Sequence, residues 1–213
     1  ADGFLIEQLD AKLSLFQSET GRVSLNVHPI YKEARKHGLL TEEEAEQLVR
    51  GDKNVIRKFQ NTREGEGKVH IIEYDAETRE FVSYEPDSIL APEKVNGESL
   101  SRRQKEGFRH GEIIELSDGT QFQHRATEQK GLRSDASSLI VSLLLDGGIS
   151  YLVLKGIRSL SGTDGNQREE FSKGYHQALA EMEKSSSTSQ SSELNEGFQK
   201  HQHSRGYGHS ASR

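Results

Sequence analysis

The 213-residue sequence predicts an α+β fold: two small helix-plus-antiparallel-strand units followed by a disordered C-terminal tail. Three observations carry that expectation. Short runs with period-two alternation recur between turn residues, as half-buried strands require. A pattern with helix start and stop signals occurs twice, at residues 40–52 and again at 100–112. From Ser185 onward the chain is a low-complexity run of serine, glutamine, histidine and glycine.

Composition limits how much of the chain can pack. Hydrophobic residues make up 31%, aromatics 7% and charged residues 29%, and tryptophan is absent. So few apolar side chains do not suffice for one core spanning the whole length, and part of it reads as tail or linker. A net charge of −6 disfavours non-specific attraction to a phosphate backbone. Without cysteine there is no disulfide scaffold, thiolate zinc site, iron–sulfur cluster or cysteine nucleophile, which fits a reducing, cytoplasmic compartment. The chain opens Ala1, Asp2, Gly3 with neither initiator methionine nor apolar leader, and reads as a processed product or a fragment.

Residues 4–28 alternate loosely around Gly21, with Leu13, Leu15 and Phe16 before it and Val23, Leu25 and Val27 after it. They predict a β-hairpin ended by Pro29. A helix is expected over Ile30–His37, stopped by Gly38. The clearest helix starts at Thr41, where Glu44 three residues on completes a capping box and Glu42 and Glu43 suit the positive end of the dipole. Ala45, Leu48 and Val49 form its apolar stripe and Gly51 its terminator. Strands are expected over Asn54–Gln60, Lys68–Tyr74 and Glu80–Glu85. Residues 86–99, with Pro86, Pro92, Asn96 and Gly97, read as a linker.

The pattern then restarts. Leu100 to Glu112 lies without gaps on Leu40 to Asp52, with Ser101 as cap, Gln104 at the third helical position and Phe108 in place of Leu48. Gly107 falls inside this second helix and weakens it by about 1 kcal/mol relative to alanine. Glu112–Leu116 and Thr120–Ala126 follow as strands around the Asp118–Gly119 turn. Leu139–Ile157 is the most apolar stretch. Periodicity leaves it open as a buried hairpin across Asp146, Gly147 and Gly148 or as two helices, and its length meets the lower limit for a membrane span. Asn166–Lys184 places Phe171, Tyr175, Leu179 and Met182 on one helical stripe suited to packing. The expected divisions are 1–90, 91–162, 163–184 and 185–213.

No phosphate loop, nucleophile elbow, zincin motif or dinucleotide fingerprint is present, so no catalytic residue, cofactor or metal site is expected. His201, His203 and His209 cluster in the tail without carboxylate partners, while His70 falls in a strand and His110 at a helix end. One charged cluster stands out. Arg102, Arg103, Lys105 and Arg109 lie on the second helix, where the first carries Glu42, Glu43, Glu44 and Glu46. The spacing puts Arg102, Lys105 and Arg109 on one side, suited to phosphate or to an acidic partner.

The segments AKLSLFQSETGRVSLNVHP, LLTEEEAEQLVRGD, APEKVNGESLSRRQKEGFRHGE, LSDGTQF and LDGGISY, in that order, resemble the tandem domains of unknown function found in accessory proteins of bacterial conjugative transposons and related mobile elements. The resemblance covers residues 11 to about 160. It implies a cytoplasmic accessory protein, often with further sequence before the hairpin, and no activity. The expected function is a non-enzymatic scaffolding or binding protein with a protein partner. The alternatives are a DNA- or RNA-binding factor using residues 101–110 and a membrane-associated protein using 139–157.

Overall fold

The structure, a computed structural model, describes residues 8–17, 22–61, 67–145, 148–161, 167, 171–186 and 206–207. The first elements are β1 (Ala11–Gln17), β2 (Val23–Pro29), α1 (Glu42–Arg50), β3 (Ile56–Asn61), β4 (Gly67–Asp75) and β5 (Glu80–Tyr84). After a 3-10 turn at Pro86–Ser88 come β6 (Lys94–Val95), β7 (Glu98–Ser99), α2 (Arg102–Arg109), β8 (Ile114–Glu115), β9 (Gln121–His124) and β10 (Leu132–Ser134). The last are β11 (Ser138–Leu145), β12 (Gly148–Lys155), α3 (Lys173–Ser186) and β13 (Gly206–Tyr207). The fold is α+β, and every strand pairing within its sheets is antiparallel.

Both capping boxes form. The Glu44 N–H donates to Thr41 Oγ1 at 3.2 Å and the Thr41 N–H to the Glu44 carboxylate at 2.9 Å. The same reciprocal pair joins Ser101 and Gln104, at 3.3 and 3.0 Å. Gly51 and Gly111, at equivalent places after the two helices, take φ of +77° and +72°, a conformation that favours glycine. Leu48 and Phe108, also equivalent, are the buried anchors of their helices.

The likeness extends past the sequence pattern, because each helix leads into a three-stranded meander: β3-β4-β5 after α1, β8-β9-β10 after α2. Leu48 packs on Ile56, Ile72 and Phe81, and Phe108 joins the core containing Ile114, Leu116 and Phe122. Gly107 has a packing reason. A Cβ there would lie 3.0 Å from Ile114 Cδ1, so glycine lets α2 sit close to β8.

Two expectations are corrected. Residues 30–37 form no helix, because their backbone is bound elsewhere: the Tyr31 N–H donates to Thr78 O and the Arg35 N–H to Arg79 O, while the Arg79 guanidinium donates to Tyr31 O and Lys32 O. These bonds to the β4–β5 turn replace the i→i−4 ladder. Residues 86–99 are not an exposed linker. They supply β6 and β7, and Ala91 and Val95, followed by Leu100, enter the main core beside Phe122, Leu139 and Leu143. Proline and glycine there shape tight turns, with Asn96 and Gly97 both at positive φ.

The apolar stretch is the hairpin β11–β12, paired from Ser138↔Lys155 to Leu145↔Gly148, with Asp146 and Gly147 outside the described residues. Leu139, Val141 and Leu143 face the main core, and Ile140 faces α3 through Tyr175 and Ala178. The C-terminal helix thus packs as its stripe predicts, although Phe171 precedes it and stacks on Tyr175 at 4.5 Å. No described helix is long and apolar enough to cross a membrane. Beyond Ser186 only Gly206–Tyr207 is described, paired with β5, and the tail expectation otherwise lies outside the described residues, as do His201, His203 and His209.

Candidate functional site

The four basic residues of α2 divide into two pairs. Lys105 Nζ lies 2.5 Å from the Glu93 carboxylate, and Arg109 donates from Nε to Ile89 O at 3.2 Å and pairs with Glu106 at 3.4 Å. Both are half-buried and spent in holding α2 to the segment before β6. Arg102 and Arg103 remain exposed in the first turn of the helix. The face expected from Arg102, Lys105 and Arg109 is therefore only partly offered to solvent.

A second cluster lies between the two helix–meander units. On β4 the alternation puts Ile71 and Glu73 on the face away from α1, and cross-strand register adds Val82 and Tyr84 of β5 to that face. The chain after β9 covers it, with Ala126 packed on Ile71, Val82 and Tyr84. Glu73, 0% exposed, accepts from the Ala126 N–H at 3.2 Å, the Thr127 N–H at 3.3 Å and the Thr127 hydroxyl at 3.2 Å. Arg125, 4% exposed, brings Nε to 3.3 Å from the same carboxylate, close enough for charge pairing but not aligned as a hydrogen bond. Burial pushes the Glu73 carboxyl above the usual range against the pull of Arg125 and these donors, and burial with the Glu73 charge raises Tyr84. The Tyr84 ring stands perpendicular to His124, 5.0 Å between centroids. A carboxylate with no exposed surface, three hydrogen-bond donors and a guanidinium from one loop is arranged to hold two chain segments together.

A third region is the β1–β2 arm. Leu13 pairs with Val27, and alternation puts Val23, Leu25 and Val27 on the same face. That face is open: Leu13 is 61% exposed, Val23 59%, Leu25 57% and Val27 49%. The opposite face is tied down at its base, where Lys12 Nζ reaches Asp75 at 3.1 Å and Glu77 at 2.9 Å and His28 is buried. Glu77 also meets Arg158 at 3.2 Å, which links the arm's anchor to the second unit.

This anchor sets a pH window. The Lys12 hydrogen bond holds Glu77 below its ordinary value of 4.5, so the contribution is complete above 4.5 and is lost as pH falls through the depressed value. Burial lowers Lys12, but Glu77 and Asp75 more than offset it and raise it above 10.5. Its contribution holds below 10.5 and is lost as pH rises through the raised value. The amide resonances of Ala11 and Lys12 are expected to shift together as pH falls below 4.5. Constancy down to pH 3 would contradict the anchor.

The hairpin itself was read from the sequence, but neither the open face of the arm nor the buried carboxylate was. Alternation at Val23, Leu25 and Val27 is visible there, but no local pattern shows whether another layer covers it. Glu73 was signalled only as an acid within the apolar alternation Val69, Ile71, Glu73. Among the described residues a cavity of about 330 Å³ lies between Asn96, Thr120, Ser138, Ser172 and Lys173. Asn96 is used internally, its Oδ1 accepting the Ile140 N–H at 3.1 Å. The described residues include no group of three or more histidine or carboxylate side chains placed to hold a metal ion. The chain matches no protein family, no curated protein and no solved structure at a significant level.

Proposed function

We propose that the chain is a non-enzymatic binding module that docks a protein partner on the apolar face of the β1–β2 arm. The observation that carries this reading is the exposure, about half or more, of Leu13, Val23, Leu25 and Val27 on one face of an arm whose other face is anchored at its base. Contiguous exposed apolar side chains on a projecting ribbon mark interaction surfaces. The motif resemblance supports placing the protein among accessory factors of bacterial mobile elements, and the lack of cysteine supports a cytoplasmic setting.

Two other readings have less support. Nucleic-acid binding through α2 would rest on Arg102 and Arg103 against a net charge of −6, since Lys105 and Arg109 are engaged within the chain. Membrane association through 139–157 would have to extract Leu139, Ile140, Val141 and Leu143 from the core.

Leu25→Asp combined with Val27→Asp tests the protein-binding reading. Both sites are exposed, so thermal stability should change little. Capture of partners from the native cytosol, with a photocrosslinker at Val23, should lose its specific product by at least about ten-fold. Arg103→Glu should leave that product in place. Unchanged crosslinking in the doubly substituted chain would defeat the proposal.

A further inference from the structure

β5 has β4 on one side, and on the other it pairs with β13, a two-residue strand that follows residues 187–205. The register is antiparallel, Gly206↔Ser83 and Tyr207↔Val82. Without β13 the first meander would end in an unpaired edge, a row of N–H and C=O groups able to template another strand. Phe81, Val82 and Tyr84 are already buried by packing on the two faces of the sheet, so β5 is held rigid and extended whether or not its outer edge is occupied.

We propose that the outer edge of β5 is a strand-acceptor site, and that Gly206–Tyr207 is its resident, displaceable occupant, bound in cis. The size of the contact supports displaceability. β5 offers five residues, Glu80–Tyr84, and β13 uses two of them. Covalent attachment to the same chain makes the seating intramolecular, with an effective concentration on the order of millimolar, which suffices to seat a weak strand. An extended segment that pairs along all of β5 makes more main-chain bonds and would win the edge. The mode of recognition is strand addition, in which the backbone supplies affinity. This site is independent of the apolar arm, because it lies on the meander edge and uses no β1–β2 residue.

The test is hydrogen exchange of the full-length chain against its Gly206→Pro/Tyr207→Pro variant. Proline removes the donor and the pairing geometry of β13, while β5 keeps its pairing with β4 and β4 its pairing with β3. In the variant the outward-facing amide within Val82–Ser83 should exchange faster by roughly ten-fold, with Ile72 on the central strand unchanged. Adding a synthetic peptide of residues 202–211 at millimolar concentration should restore the slow rate. Equal rates in the two chains would overturn the site. Wild-type protection that falls on dilution would overturn pairing in cis, and failure of the peptide to restore protection would overturn displaceable occupancy.

Discussion

Replacing Glu73 with alanine is expected to cost about 3–5 kcal/mol of stability, because it leaves the Arg125 charge buried without its counter-ion. The alanine also strands the Ala126 and Thr127 N–H groups and the Thr127 hydroxyl, all of which donate to that carboxylate. Glu73→Gln should be nearly as damaging, since its amide presents donors where donors already converge. Arg125→Leu alone should be severe for the mirror reason, a fully buried carboxylate without its cation. The double change Glu73→Leu/Arg125→Leu removes both charges and should lose less than the sum of the singles. Urea midpoints of the wild-type chain, the singles Glu73→Leu and Arg125→Leu and the double variant measure this coupling. Additive losses would mean that the 3.3 Å approach of Arg125 to Glu73 carries no interaction.

The same substitution at two equivalent glycines should give unequal losses. Gly51→Ala places a side chain at φ +77° with nothing within 4 Å of the new Cβ, so only the left-handed backbone is penalised, by about 1–2 kcal/mol. Gly111→Ala meets the same backbone cost at φ +72° and also puts Cβ 3.0 Å from Tyr84 Oη and 3.0 Å from Val55 Cγ1. Crowding in a closed interior adds about 1–3 kcal/mol. Thermal unfolding of both variants separates the terms. Equal losses would show that the first meander does not press on the turn after α2.

These two sites mark where the sequence was legible and where it was not. The helices were readable because a hydroxyl, an acid or amide three residues later and a terminal glycine act within one turn of backbone. The β3–β4–β5 strands were readable from alternation between polar turns. Residues 30–37 were misread because their backbone partners, Thr78 and Arg79, lie more than forty positions away. Residues 86–99 were misread because proline and glycine mark tight buried turns as readily as linkers, and Val95 finds its core only through pairing with Val141. The functional reading depended on tertiary context throughout. Lys105 and Arg109 look like a cationic face until Glu93 and Ile89 are placed beside them, and the arm's alternation looks like any half-buried hairpin until its uncovered side is seen.

The central claim is that the two helix–meander units are joined through Glu73 into one cooperative body, leaving the arm as the surface free to bind. Native-state hydrogen exchange at increasing denaturant, followed on the amides of β4 and β11, tests it most directly. The expected result is that both sets converge on one global opening with the same free energy and denaturant dependence. Exchange of β4 amides through a cheaper opening that leaves β11 protected, or the reverse, would contradict it.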